Sequence, residues 1–109
     1  MPKRPMPTEV LELVAERFKV LAEPARLEIL RQLRDREMTV TELVDATGLG
    51  QANVSKHLAH LLRLGFVARR KEGLFAYYTL ADARVFQLCE LVCARIESEV
   101  ATRRKALGV

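Results

Sequence analysis

Apolar residues recur at helical spacing along most of this chain and switch to a period of two in one short stretch. Val10, Leu13, Val14, Phe18 and Leu21 repeat at intervals that predict a first helix. Thr8 can cap it, and Glu9 and Glu12 suit its first turn. "EPARLEILRQLRD" opens a second helix, with Pro24 near its first turn. Leu27, Leu30 and Leu33 mark its buried side, with Ile29 flanking. "MTVTELVDATGLG" reads as a cap, a short helix and a stop. Thr39 and Glu42 have capping-box spacing, and Gly48 can supply the left-handed residue that ends a helix. "QANVSKHLAHLLRLG" then starts a further helix almost at once and carries it to about Gly65. Two helices joined by a short turn containing Gly form the helix-turn-helix signature.

The period of two comes next. "FVARR" and "FAYYTL" flank "KEGL", where Gly73 favours a tight turn, so this segment predicts a β-hairpin. A hairpin directly after a recognition helix is a wing, and its bases can reach phosphates or an adjacent minor groove. The last helix is expected from about Asp82, which can cap it, to Leu107. Val85, Cys89, Val92, Cys93, Ile96 and Val100 form its apolar stripe, with Phe86 and Leu88 flanking. The small winged core is already supplied, so this extra stripe predicts a partner surface. The first and last helices are expected to form a symmetric homodimer interface. The "RRK" at 103–105 suits a helix C-terminus or a solvated tail. Residues 1–7, with Pro2, Pro5 and Pro7, read as a flexible arm. Residues 8–107 read as one domain that binds DNA and dimerises. The expected fold is mainly α with a small β-hairpin, a winged helix-turn-helix.

Charge adds a direction to this outline. The formal net charge is only +4, but Lys56, Arg63, Arg69, Arg70 and Lys71 all lie in residues 51–71, which hold no acid. The rest of the chain is close to neutral. Such a segment is either an ordinary solvated surface or the footprint of a polyanion. The arcs of the second helix of the pair favour the latter. Val54, Leu58, Leu61 and Leu62 share one arc, while Ala52, Asn53, Lys56, Ala59, His60 and Arg63 occupy the other. Gln51, Ser55 and His57 lie on the borders. A solvent face usually mixes both charge signs, whereas a helix entering a DNA groove needs small or hydrogen-bonding residues without acids.

With 109 residues, half of them hydrophobic, one modest core can form. No apolar run approaches the roughly 18 residues of a membrane span, and "MPKRPMPTEV" lacks the apolar core of a signal peptide. A cytoplasmic protein with reduced thiols and no membrane partner is therefore expected. No nucleophile–base pair, phosphate-binding Gly loop or catalytic metal cluster is visible, so an enzyme is not expected. Ser55 and His57 are two apart on a helix and do not face each other.

"LAEPARLEIL", "TVTELVDATGLGQANVSKHLAHLLRLGFV" and "RRKEGLFAYYTL" together cover most of residues 18–80. In order and spacing they resemble the ArsR/SmtB family of small dimeric winged-helix repressors. The resemblance implies a homodimer that holds double-stranded operator DNA, an inverted repeat, until an effector weakens its grip. It implies that Gln51, Asn53, Ser55, Lys56 and His57 belong to the DNA-reading segment and Arg69, Arg70 and Lys71 to the wing. His57 also has a plainer reading, as a helix histidine packed near the turn. A His57/His60 metal site is not expected, because no third ligand is nearby.

The family's effector positions carry other residues here. Its Cys-x-Cys metalloid site falls on Thr39 and Thr41. Its zinc-type site on the last helix falls on about Asp82, Arg84, Arg95 and Ser98, and arginine has no lone pair to give a metal. The second-helix cysteine of its sulfide and oxidant sensors falls on Arg31. Cys89 and Cys93 are what is left. Four residues apart on a helix they share a face, and paired thiolates suit arsenite, antimonite or another soft metal ion. An oxidant acting on them is the related possibility; a disulfide is easier between subunits than within one helix. The plain alternative is that both are small apolar residues packed in an interface. Control would then come from a non-thiol ligand or a protein partner. A dimerising protein-interaction domain that never touches DNA is the third reading, and the acid-free segment argues against it.

Overall fold

A computed structural model describes residues 6–108 of the chain. Five helices and one hairpin run in the order α1 (Thr8–Leu21), α2 (Pro24–Gln32), α3 (Val40–Thr47), α4 (Gln51–Arg63), β1 (Val67–Glu72), β2 (Phe75–Leu80) and α5 (Val85–Leu107). The expected mainly α fold with a small hairpin is the one observed. The expected N-terminal arm falls largely on residues 1–5, outside the described residues; Met6 and Pro7 carry no regular structure.

The core lies where α2, α3, α4 and the hairpin meet. Ile29, Leu43, Val54, Leu58 and Leu61 are fully buried there, joined by Leu30, Leu33, Met38 and Val67. Burying a side chain of this kind is worth about 1.5–3 kcal/mol, so this cluster is what orders the short helices. On α2 the observed face is rotated from the expected one. Ile29 is completely buried and Leu27 is 40% exposed, because α3 and α4 cover the Ile29–Leu30–Leu33 side.

Local chemistry sets the helix boundaries. Thr39 and Glu42 form the full capping box: Thr39 Oγ1 accepts the Glu42 N–H at 3.2 Å, and Glu42 Oε1 accepts the Thr39 N–H at 3.0 Å. The Thr39 backbone N–H is the main reason the Glu42 carboxyl lies below the usual carboxylate range. Gly48 ends α3 at φ 74°, the left-handed region that other residues adopt at a cost. Two expected caps are not used. Thr8 is the first residue of α1, with Pro7 at the cap position. Asp82 does not cap α5, which starts three residues later. Instead Asp82 folds onto Arg84, accepting its backbone N–H at 2.9 Å and clasping its guanidinium. That clasp holds the Asp82 carboxyl down at about 2.

The hairpin turn is tighter than the sequence suggests. Lys71 pairs with Ala76 and Glu72 with Phe75, leaving a two-residue turn of Gly73 and Leu74. Gly73 has φ 60° and Leu74 has no positive φ, the pattern of a type II′ turn, which matches strand twist. Met38, just before α3, exchanges both backbone hydrogen bonds with Tyr78 at 3.0 and 2.8 Å. The wing is thereby fastened to the entrance of the helix pair.

Candidate nucleic-acid interface

α4 starts at Gln51 from Gly50, which has no side chain to cap it. The first intrahelical bond runs from the Val54 N–H to the Gly50 carbonyl, so the preceding N–H groups point outward unpaired within the helix. No acid lies in this first turn. The end of α4 therefore presents a partial positive charge and free donors, a setting that favours phosphate. Gln51, Asn53, Ser55 and Lys56 are all exposed around it. All four expected reading residues are thus open to solvent, Asn53 and Lys56 on the outward arc of α4 and Gln51 and Ser55 at the borders of the buried face of Val54, Leu58 and Leu61.

His57 sits differently. It is half-buried, and its Nδ1 accepts the Nε–H of Arg26 at 3.0 Å. The same guanidinium donates to the Val20 carbonyl at 3.2 Å, so one side chain ties α1, α2 and α4 together. Burial is the main reason the His57 imidazole titrates below the ordinary histidine value; Arg26, Lys56 and His60 push the same way and Glu23 opposes. Sequence reading missed Arg26. Its partner is 31 residues away, and no periodicity connects them.

The wing bases also divide. Alternation along β1 puts Arg69 and Lys71 on one side of the strand and Arg70 on the other. Arg69 and Lys71 are exposed and, among the described residues, in no salt bridge. Arg70 is held by Glu37 at 2.8 Å and by Glu72, and its guanidinium lies 4.7 Å from the Tyr77 ring centre. Those two carboxylates raise its pKa further. Arg63 is bonded to Glu16 of α1 at 2.9 Å. Of the five bases in the acid-free segment, Lys56, Arg69 and Lys71 are the ones in no salt bridge among the described residues.

Both cysteines are free thiols, Cys89 half-buried and Cys93 exposed. They line an open groove of about 1060 Å³ between α2 and α5, together with Leu27, Leu30, Arg31 and Arg34. Neither is fully buried. The other effector positions are committed elsewhere: Thr39 to its capping box, Arg31 to Glu28, Arg84 to Asp82, and Arg95 to Glu99. No group of three or more His, Cys, Asp or Glu residues is placed to hold a metal ion among the described residues. No helix among them is long and apolar enough to cross a membrane.

Comparison with known proteins agrees with this geometry. Residues 23–69 match the bacterial regulatory proteins of the arsR family. The HTH-type transcriptional regulator KmtR of Mycobacterium tuberculosis is 39% identical over 84 residues, 77% of this chain and 65% of that protein. A probable mercury resistance operon repressor of Streptomyces lividans is 36% identical over 80 residues, 73% of this chain and 64% of that protein. The chain thus spans just under two thirds of the length of these two relatives. Among solved structures, the homodimeric winged helix-turn-helix DNA-binding domain of a possible ArsR-family regulator from Mycobacterium bovis has a TM-score of 0.76. It is 32% identical, and the match covers 91% of this chain and 95% of that one. These relatives are regulators of transcription and not enzymes. With the helix pair, the wing and this range of relatives in place, the chain belongs to the arsR family of bacterial regulatory proteins.

Proposed function

We propose that the protein is a homodimeric, DNA-binding transcriptional repressor that works in the cytoplasm and leaves its operator when an effector binds. The observation that carries this reading is the open face of α4. It joins an uncapped helix start, exposed Gln51, Asn53, Ser55 and Lys56, and no acid. α4 enters the major groove, and Arg69 and Lys71 of the wing rest on flanking phosphates. Arg70 reaches DNA only by exchanging Glu37 and Glu72 for a phosphate. The exposed apolar residues of α1 and α5, among them Leu13, Phe18, Leu91, Val92 and Ile96, are covered by a second copy. Two-fold symmetry then calls for an inverted repeat.

Cys89 and Cys93 are the effector pair in this reading, and the ligand is a soft metal ion or metalloid such as arsenite or antimonite, or an oxidant. Free thiols on one helix face, Cys93 exposed and Cys89 half-buried, support it, as does the likeness to a probable mercury resistance operon repressor. A gel shift on the DNA upstream of the protein's own gene tests the first half. Specific binding that falls steeply with salt is expected; no shift at low salt sinks the DNA reading. Arsenite or a mild oxidant is expected to release the parent protein and not the variant carrying both Cys89→Ser and Cys93→Ser. Equal release of both would move control to a non-thiol ligand or protein partner. That second reading is favoured by one observation: both thiols lie on the apolar stripe of α5, the stripe assigned above to a second copy.

A further inference from the structure

On α4, His57 is the expected reading residue whose side chain is already engaged. Arg26, in the first turn of α2, donates its Nε–H to Nδ1. A guanidinium has donors only, so the accepting Nδ1 carries no proton. A neutral imidazole must then carry its proton on Nε2. The surroundings favour the neutral ring: burial, Arg26, Lys56 and His60 all oppose a cation, and only Glu23 supports one. Nε2 has no partner among the described residues, and no buried side-chain nitrogen or oxygen among them is left unpaired. Nε2–H therefore reaches solvent.

We propose that Arg26 is a positioning residue for DNA reading, fixing His57 in the tautomer that offers an Nε2–H donor to an acceptor on DNA. The acceptor is a phosphate oxygen or the N7 of a purine. The inference rests on the placement of α4 against DNA proposed above. Its chemistry lies in the contrast with an unrestrained imidazole. Such a ring divides between two tautomers, and the one with Nδ1–H turns a lone pair toward the same acceptor. Arg26 removes that form before binding, so the donor is preorganised.

A long-range proton–nitrogen spectrum of the parent protein at about pH 7.5 reads the tautomer directly, with no DNA present. An unprotonated Nδ1 and a protonated Nε2 are expected. Affinity is then read on the duplex that the parent enriches from a random-sequence pool. Arg26→Met should mix the tautomers and weaken binding about 10-fold, the worth of one well-placed contact. Arg26→Gln, which keeps an N–H donor, should recover much of both. In a His57→Ala background, Arg26→Met should cost no further affinity. Placing 7-deazapurines or methylphosphonates in the duplex separates the two acceptors. The substitution that makes the parent bind no better than His57→Ala identifies the one used.

A parent spectrum with Nδ1–H or a cationic ring overturns the proposal. So does an equal loss from Arg26→Met with and without His57, or indifference of the parent to both duplex substitutions. The spectrum and the modified duplexes need no Arg26 variant, so they decide even where Arg26→Met does not fold. A parent that enriches no duplex removes the DNA reading itself; a wrong tautomer in a parent that binds removes only the role of Arg26.

Discussion

α4 and α5 carry the same kind of apolar stripe and meet opposite fates. On α4, Val54, Leu58 and Leu61 are all at 0% exposure, enclosed by α2, α3 and β1. On α5, only Val85 is buried, while on the same stripe Val92 is 57%, Ile96 48% and Val100 37% exposed. A helical period says that a face must be covered. It does not say by which chain. α4 is covered by its own fold because short connections return α2, α3 and β1 to it. α5 leaves the body after its first turns, where Val85 and Phe86 anchor it and Arg34 stacks 5.2 Å from the Phe86 ring centre. The helix is 23 residues long, and the protomer leaves most of its stripe uncovered.

The contrast is broken most directly in the core. Leu58→Ala removes a fully enclosed side chain and is expected to cost about 2–5 kcal/mol, read as a lower denaturant midpoint. Ile96→Glu should instead leave the protomer's fold intact and weaken self-association roughly 10- to 100-fold, read by sedimentation over a concentration series. Should Ile96→Glu unfold the protomer while leaving association unchanged, the stripe of α5 serves the core after all.

Backbone geometry gives the next effect. An added Cβ at Gly48 meets nothing within 4 Å, so the cost of Gly48→Ala is conformational alone. About 1–2 kcal/mol of stability should be lost, with no change in dimer formation. The smallest effect is a pH response confined to the helix-turn-helix side. His57 titrates below its ordinary value of about 6.5 in the folded chain, so the unfolded chain binds the proton first. Its contribution is complete above about pH 6.5 and is lost as the pH falls through the lower folded-state value. Denaturant midpoints of the parent should therefore decline over that window more than those of His57→Gln. Identical profiles would show that the ring is not held neutral.

Several features of the site were readable because they are local. Thr39 and Glu42 are three residues apart and Gly48 comes just after the helix they start, so capping chemistry alone predicts α3. The acid-free run and the alternating "FAYYTL" likewise declare themselves within a few residues. Caps with competing partners were not readable. Asp82 had the right identity to start a helix, but Arg84 two residues on took its carboxylate. The tie between Arg70 and Glu37 crosses 33 residues, and that between Arg26 and His57 crosses 31.

Element order, the helix-turn-helix, the wing and the apolar stripe of α5 were all legible in the sequence, because periodicity and capping act over one or two helical turns. Tertiary structure decided which of those charged and polar residues are free to act. It left Lys56, Arg69 and Lys71 open, closed Arg70 and Arg63 on carboxylates, and set one tautomer of His57. Such choices depend on side chains meeting across the fold, where distance along the chain carries no signal and only proximity in space does.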